Sequence, residues 1–280
     1  MKTLYATLLF ISMYMTGKQH HLLPFRHDTL ISDDKGLPRD STVYYFPIET
    51  FYDSIHSVWY TDPKTKLWVS ESVDGGCSSR EELSKQLNVP VNLFVDSFEK
   101  RVNTFEMKWF SFYLYKMQEP VLYNYFLEKD VYRFTWLRSF NIPVTITIEK
   151  EQNAVTITTK ALKKNIDLPS NATYENVNGK EVKMPLDLNA AFVINKKKTL
   201  SEKDFLEFKK LIDSLNLYSY PSFPYSPCLV GTDGAEWIFE AQNKEGYFYM
   251  VRWSPEKETA LRKVGEFLIK LSDAKDEKIY

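Results

Sequence analysis

Residues 231–272, GTDGAEWIFEAQNKEGYFYMVRWSPEKETALRKVGEFLIKLS, constrain the fold more tightly than any other stretch of the chain. Two alternating runs, 236–242 and 247–253, flank a short polar segment at Lys244 and Glu245, the pattern of a β-hairpin. With an even-length turn, Trp237, Phe239, Ala241, Phe248 and Met250 share one face, which reads as core. Glu236, Ile238, Glu240, Tyr249, Val251 and Trp253 share the other, and its two glutamates read as a solvated sheet surface. The same register sets Trp237 opposite Arg252 and predicts a guanidinium–indole contact worth about 1 kcal/mol. Ser254 reads as a helix cap with Pro255 in the first helical position, where the missing N–H costs nothing. Leu261, Val264, Leu268 and Leu271 are then the buried stripe of a last helix.

Upstream, residues 131–140 alternate, with Tyr132, Phe134 and Trp136 on one face. Residues 144–150 and 154–162 predict a second hairpin. A two-residue turn at Glu151-Gln152 sets Ile148 against Val155 and Ile146 against Ile157, with Thr145, Thr147, Thr156 and Thr158 on the opposite face. Residues 169–185 read as loop with a turn at Asn178-Gly179, and residues 190–195 as a further short strand. Ser201 caps a helix over 202–215, whose stripe is Phe205, Phe208, Leu211, Ile212 and Leu215. Pro221, Pro224 and Pro227 stiffen the connection to the last hairpin. Strands, helix, hairpin and helix in that order, without βαβ alternation, predict an α+β fold over residues 121–273: a mainly antiparallel sheet with helices packed on one face. Residues 274–280 form a charged tail, expected to fray.

The preceding region, 41–120, reads as mostly helical and rich in aromatic residues. A capping box, Ser79 with Glu82, opens a short helix over 78–88, and Pro90 closes it. Phe94, Phe98, Val102, Phe105, Trp109 and Phe112 recur at spacings of three and four and trace one face of a long helix. The aromatic run 109–115 fits a strand as well, and Pro120 ends the element. Residues 43–46 read as a short strand and residues 18–40 as a polar arm. Residues 1–17, MKTLYATLLFISMYMTG, carry one lysine and then a mostly apolar run over 4–15. That run is shorter than the ~20 residues a spanning helix needs and suits a secretory signal peptide. Export to the periplasm or beyond is the expectation, with no transmembrane helix in the mature chain.

Charge and motif content exclude several functions. With 36 basic and 37 acidic residues the net charge is −1, without the basic surplus of a nucleic-acid partner. Phosphate-binding, dinucleotide-binding, Gly-x-Ser-x-Gly, zinc-ligand and EF-hand patterns are missing, so no cofactor is implied. His20, His21, His27 and Asp28 are the one grouping of metal-ligand types, too loosely set in the arm to predict a metal site. Cys77 precedes a helix start, a position that lowers a thiol pKa, yet no base motif accompanies it and it reads as a turn cysteine. Cys77 and Cys228 either pair across a long loop or remain thiols. Asn171-Ala172-Thr173 matches a glycosylation sequon. For recognition the candidates are Arg133, Trp136, Arg138, Glu236, Trp237, Arg252 and Trp253, because Trp and Arg are enriched at binding hot spots. The alternative puts Trp136 and Trp237 in the core and pairs the arginines with local carboxylates.

YRFTWLRSF (132–140), GTDGAEWIFE (231–240), YMVRWSPE (249–256) and FLIKLS (267–272) resemble a group of uncharacterised exported bacterial proteins, over residues 119–273. That group has no assigned activity, so the resemblance implies export and carries over no catalytic residue. The sequence therefore predicts an exported protein without catalytic activity, a binding, interaction or structural component of the bacterial envelope. A hydrolase acting on an envelope polymer or peptide, and an inhibitor or immunity-type protein gripping a partner by a sheet face, are the alternatives.

Overall fold

The computed structural model describes residues 22–50, 52–72, 80–102, 104–164, 174–177, 180–183, 191–222 and 233–279. Along the chain run β1 (Tyr52–Thr61), β2 (Trp68–Ser72), α1 (Arg80–Leu87), β3 (Val95–Val102), α2 (Thr104–Lys116), β4 (Asp130–Arg138), β5 (Val144–Glu151) and β6 (Ala154–Leu162). There follow β7 (Tyr174–Val177), β8 (Lys180–Lys183), β9 (Phe192–Thr199), α3 (Glu202–Ser214), β10 (Ala235–Asn243), β11 (Gly246–Trp253) and α4 (Ala260–Leu271). A six-stranded sheet has the order β11-β10-β4-β5-β6-β9, a three-stranded sheet the order β2-β1-β3, and β7 pairs with β8. The described pairings are antiparallel, so the fold is α+β with antiparallel sheets, as the element order implies.

The last hairpin has the expected register: Trp237 pairs with Arg252, and Lys244-Glu245 lies between the paired Asn243 and Gly246. The β5–β6 hairpin is shifted. Ile148 pairs with Ile157 and Lys150 with Val155, so the turn falls at Gln152-Asn153, where Gln152 is left-handed with φ 51°. The shift is two residues, an even number, and so it leaves Ile146, Ile148, Val155 and Ile157 on the core face. The strand expected at 190–195 extends to Thr199.

Both faces of the sheet are covered. On one, α3 and α4 bury Phe134, Trp136, Trp237, Phe239 and Met250 beneath Phe205, Phe208, Ile212, Leu261, Val264 and Leu268. On the other, Val131, Leu137, Ile238, Tyr249 and Val251 lie under Met107, Phe110 and Leu114 of α2, with Tyr45, Phe46, Val121 and Leu122 from irregular segments. Helices therefore pack on two faces, where the local pattern had indicated one. Central strands β4 and β10 are buried almost throughout.

The N-terminal half is not mostly helical. Residues 95–102, assigned to a long helix by their spacing, are β3, paired in register with β1 from Trp59↔Val95 to Tyr52↔Val102. Positions 94, 98 and 102 are an even number apart, so a strand of period two fits them as well as a helix does. Helix begins at Thr104, and its buried side is Met107, Phe110, Phe112, Tyr113, Leu114 and Met117, while Phe105 is exposed. Residues 43–46 form no strand; Tyr45 and Phe46 are fully buried within an irregular segment. The arm is docked: Leu23 exchanges both backbone hydrogen bonds with Tyr247 and so covers the free edge of β11.

Helix α1 forms as expected, although Ser79 of its capping box lies outside the described residues. Ser201 Oγ accepts from the Asp204 N–H at 3.1 Å and caps α3 as anticipated. Ser254 does not cap α4. Its backbone is left-handed (φ 35°) and its Oγ accepts from the Ala235 N–H at 2.9 Å, which closes the hairpin, while α4 starts after Thr259. The tail is held rather than frayed: the Asp273 N–H donates to Thr159 Oγ1 at 3.1 Å, and Ala274 is buried. Asn178-Gly179, Pro224, Pro227 and the sequon at Asn171 lie outside the described residues.

Candidate functional site

Sheet register places Glu240 of β10 opposite Arg133 of β4, and Arg133 opposite Thr147 of β5. All three face α2. Arg133 Nε and Nη2 donate to the two oxygens of Glu240, each at 2.7 Å, a bidentate fork. Arg133 Nη1 donates to the Pro120 carbonyl at 2.7 Å and lies 3.5 Å from Glu119. Lys160 Nζ is 2.9 Å from the other Glu119 oxygen and donates to the carbonyls of Met117 and Gln118. Thr145 and Thr147 hydroxyls donate to Glu119, and the Tyr247 hydroxyl donates to Glu240 at 2.9 Å. Tyr45 adds a hydrogen bond to the Glu119 carbonyl and a ring beneath the Arg133 guanidinium.

The local cause is the end of α2. Gln118 takes a left-handed backbone (φ 54°), and the Glu119 and Gln118 N–H groups bond back to Leu114 and Tyr115. That is a Schellman closure, here without glycine. It turns Glu119 onto the sheet and presents the final carbonyls of α2 to Lys160, a cation where the helix dipole favours one.

This cluster joins layers. Two cations meet two carboxylates, and Arg133 and Glu240 are wholly buried. Burial pushes Glu240 above the usual carboxylate range against the pull of Arg133, and burial likewise pushes the Tyr247 phenol well up, so it remains a donor. With every charged head engaged inside the protein, the arrangement suits holding α2 and its loop to the sheet rather than receiving a substrate.

Glu236 differs. It is 5% exposed, on the same face as Glu240, with Leu137 and Trp253 as its register neighbours. Among the described residues its carboxyl has no hydrogen-bond or ion-pair partner. Burial, and secondarily repulsion from Glu106 on α2, push it up to about 8.

The seven residues named from sequence do not share one surface. Arg133, Glu236 and Trp253 point toward α2, whereas Trp136, Arg138, Trp237 and Arg252 point toward α3 and α4. Five are buried, and only Arg252 and Trp253 are half-exposed. The expected Trp237–Arg252 contact is replaced: Arg262 of α4 stacks over Trp237 at 4.7 Å. Arg252 turns instead to the carbonyls of Pro221, Ser222 and Val251. Arg138 stacks over Trp136 at 4.1 Å and grips the tail through Glu277 and the Lys278 carbonyl. Glu236 and Glu240 are interior rather than solvated. Sequence reasoning passed over Glu119, Lys160, Tyr45 and Tyr247; the one available sign was Lys160, a lone charge among the threonines of its strand face.

The three-stranded sheet carries exposed apolar side chains on one face. Val58 and Tyr60 of β1 turn inward with Leu83, Val89 and Phe94, and Trp59 lies on the opposite side. There it stacks on Trp68 of β2, with centroids 6.2 Å apart and planes 19° from parallel. Trp68 is 55% exposed, and Val95, opposite Trp59 on β3, 53%. A cavity of about 370 Å³ opens near the arm between Leu30, Val43, Phe46, Ile48 and Tyr123, with the Arg26–Glu49 ion pair among its walls.

Among the described residues no group of three or more His, Cys, Asp or Glu is placed to hold a metal ion. The His27 ring packs edge-on to Tyr125; His20, His21, Cys77 and Cys228 lie outside the described residues. No family model, curated protein or solved structure matches the chain.

Proposed function

We propose that this chain is an exported, non-catalytic binding component of the bacterial envelope that engages a protein partner through the outer face of β1 and β2. The observation that carries the reading is the saturated state of the Arg133–Glu240–Glu119–Lys160 cluster. The densest set of ionisable groups described is spent inside the fold, while Trp68, stacked on the half-buried Trp59, is left largely to solvent. Export rests on the signal-like residues 1–17 and on the resemblance over 119–273. Among the described residues no helix is long and apolar enough to cross a membrane.

A photo-crosslinking amino acid at position 68, in the full chain expressed in its cell, tests the binding face. A discrete adduct at 68 that is lost in Trp59→Ala, with none from the exposed Leu206 of α3, supports it. No adduct at 68, or the same adduct from 206, overturns it. Fractionation tests export: intact Met1 in cytosolic material defeats that part.

One observation favours a second reading, the envelope hydrolase. Burial pushes the Glu236 carboxyl up to about 8, and a second carboxyl, Glu106, lies near enough to repel it, the kind of neighbour an acid–base pair has. The burial of Glu236 counts against it. Turnover of peptidoglycan or peptide substrates that disappears in E236Q would favour the enzyme.

A further inference from the structure

Helix α2 spans the sheet face with its two ends held differently. Its C-terminal end is clamped by Lys160, Arg133 and the Schellman turn. Its first turn carries Glu106, and Met107 of that turn packs in one cluster with Ile238, on the sheet face that also carries Glu236. One residue separates Thr104 from β3, so this turn is also the joint through which the three-stranded sheet continues from α2.

We propose that Glu236 is an acid-closed latch: its protonated carboxyl lets the first turn of α2 lie on the six-stranded sheet, and loss of that proton releases the turn. This inference stands apart from the binding role proposed above. Among the described residues, the groups around Glu236 leave its charge unanswered. From β4 it meets Leu137, from β11 Trp253, and from α2 Glu106. Along its own strand, Glu240 is already matched by Arg133. A helix N-terminus favours one carboxylate, and Glu106 takes that place in the first turn. A second anion beneath it would be buried, unpaired and repelled. At 5% exposure Glu236 has no room for a bulky counter-ion, whereas a proton needs none.

The direction follows from proton counts. Closed, Glu236 holds its proton up to about pH 8. Released into solvent it would lose it near the ordinary value of about 4.3. Between those values the closed form binds more protons, so rising pH favours opening by about tenfold per unit, with a plateau above about pH 8. Acid shuts the latch.

Amide hydrogen exchange on the full chain from pH 5 to 9, corrected for intrinsic rates, tests this. Protection of the Lys108, Trp109 and Phe110 amides should fall by about tenfold per pH unit up to pH 8 and then level off. Amides 114–116, at the clamped end, should not follow. E236Q should abolish the dependence, and E106Q should keep it with a lower midpoint. Carbon-13 titration of the wild-type glutamate carboxyls gives a readout free of any folding defect in the variants: one must titrate near pH 8. Flat wild-type protection, an unchanged slope in E236Q, an unmoved midpoint in E106Q, or no carboxyl titrating above pH 7 would each overturn the proposal.

Discussion

Glu236 and Glu240 project four residues apart from one face of β10, and the strand beside them treats them oppositely: β4 offers Arg133 to Glu240 and Leu137 to Glu236. Antiparallel register alone decides this. Four residues along a strand is roughly 13 Å, enough to set the two carboxylates beneath different parts of α2. One carboxylate therefore becomes the anchor for the end of α2, and the other lies beneath its start without a counter-charge.

The Arg133–Glu240 pair should show strong coupling. Glu240→Ala takes the bidentate partner from a buried guanidinium, and Arg133→Ala leaves a buried carboxylate with, among the described residues, only the Tyr247 hydroxyl, each costing about 3–5 kcal/mol. Arg133→Met with Glu240→Leu removes both charges and keeps apolar volume, so the double variant should lose less than either alanine variant. Urea unfolding of the set checks this. A double variant whose loss equals the sum of two independent losses would show that the pair is not coupled.

Gly265 allows α4 to approach β10. A Cβ there would lie 2.5 Å and 2.6 Å from Trp237 ring carbons and 2.9 Å from Phe134. Those rings are buried and held, Trp237 by Phe134 at 5.2 Å and by Arg262 at 4.7 Å. Overpacking of this kind costs about 1–3 kcal/mol, which should exceed the roughly 1 kcal/mol that alanine contributes through helix propensity. Gly265→Ala should lower the thermal midpoint and alter tryptophan fluorescence; an unchanged midpoint would mean that α4 shifts freely.

What the sequence made legible was local. The last hairpin, α3 with its Ser201 cap, and the buried stripe of α4 depend on residues within a few positions of one another, and these agree with the structure. What covers the second sheet face is not local. Glu236 and Glu240 alternate with apolar residues and read as wet because α2 and the segment around Tyr45, which roof them, lie more than a hundred residues upstream. Tyr247, Tyr249 and Val251 on the same face were the available hint, since a solvated face seldom carries three such residues. The β3 misreading has a different cause. Spacings of four satisfy both periods, and the one sign of the change, Asn103 with Glu106 three residues on at a helix start, was outweighed by the continuous aromatic spacing.

Gln118 occupies a backbone conformation that suits glycine. Its φ is 54°, it is exposed, and its side chain plays no part in the Schellman hydrogen bonds, which are made by backbone. Left-handed backbone costs a non-glycine residue about 1–2 kcal/mol, and glycine returns part of that gain as unfolded-state entropy. Gln118→Gly should therefore raise stability by roughly 0.5–1 kcal/mol, read as a higher urea midpoint at constant m. A loss instead would mean that the Gln118 side chain contributes more than the backbone relief.

The C-terminal tail should behave as part of the core. Arg138 is 2% exposed and donates twice to the Ile142 carbonyl, once to the Lys278 carbonyl and once to Glu277 at 2.8 Å. Removing residues 274–280 withdraws two of these acceptors, exposes the Arg138–Trp136 stack, and takes away buried Ala274 and the packing of Ile279. An unpaired hydrogen bond to a buried charged group costs about 1.5–3 kcal/mol, so truncation should destabilise the whole sheet by at least that much. Glu277→Gln separates the contributions: it keeps an acceptor for Arg138 and loses only the partly exposed ion pair, worth about 1 kcal/mol or less. Urea unfolding of both variants discriminates the outcomes, and a truncation no more harmful than Glu277→Gln would mean that the tail lies on the surface without supporting it.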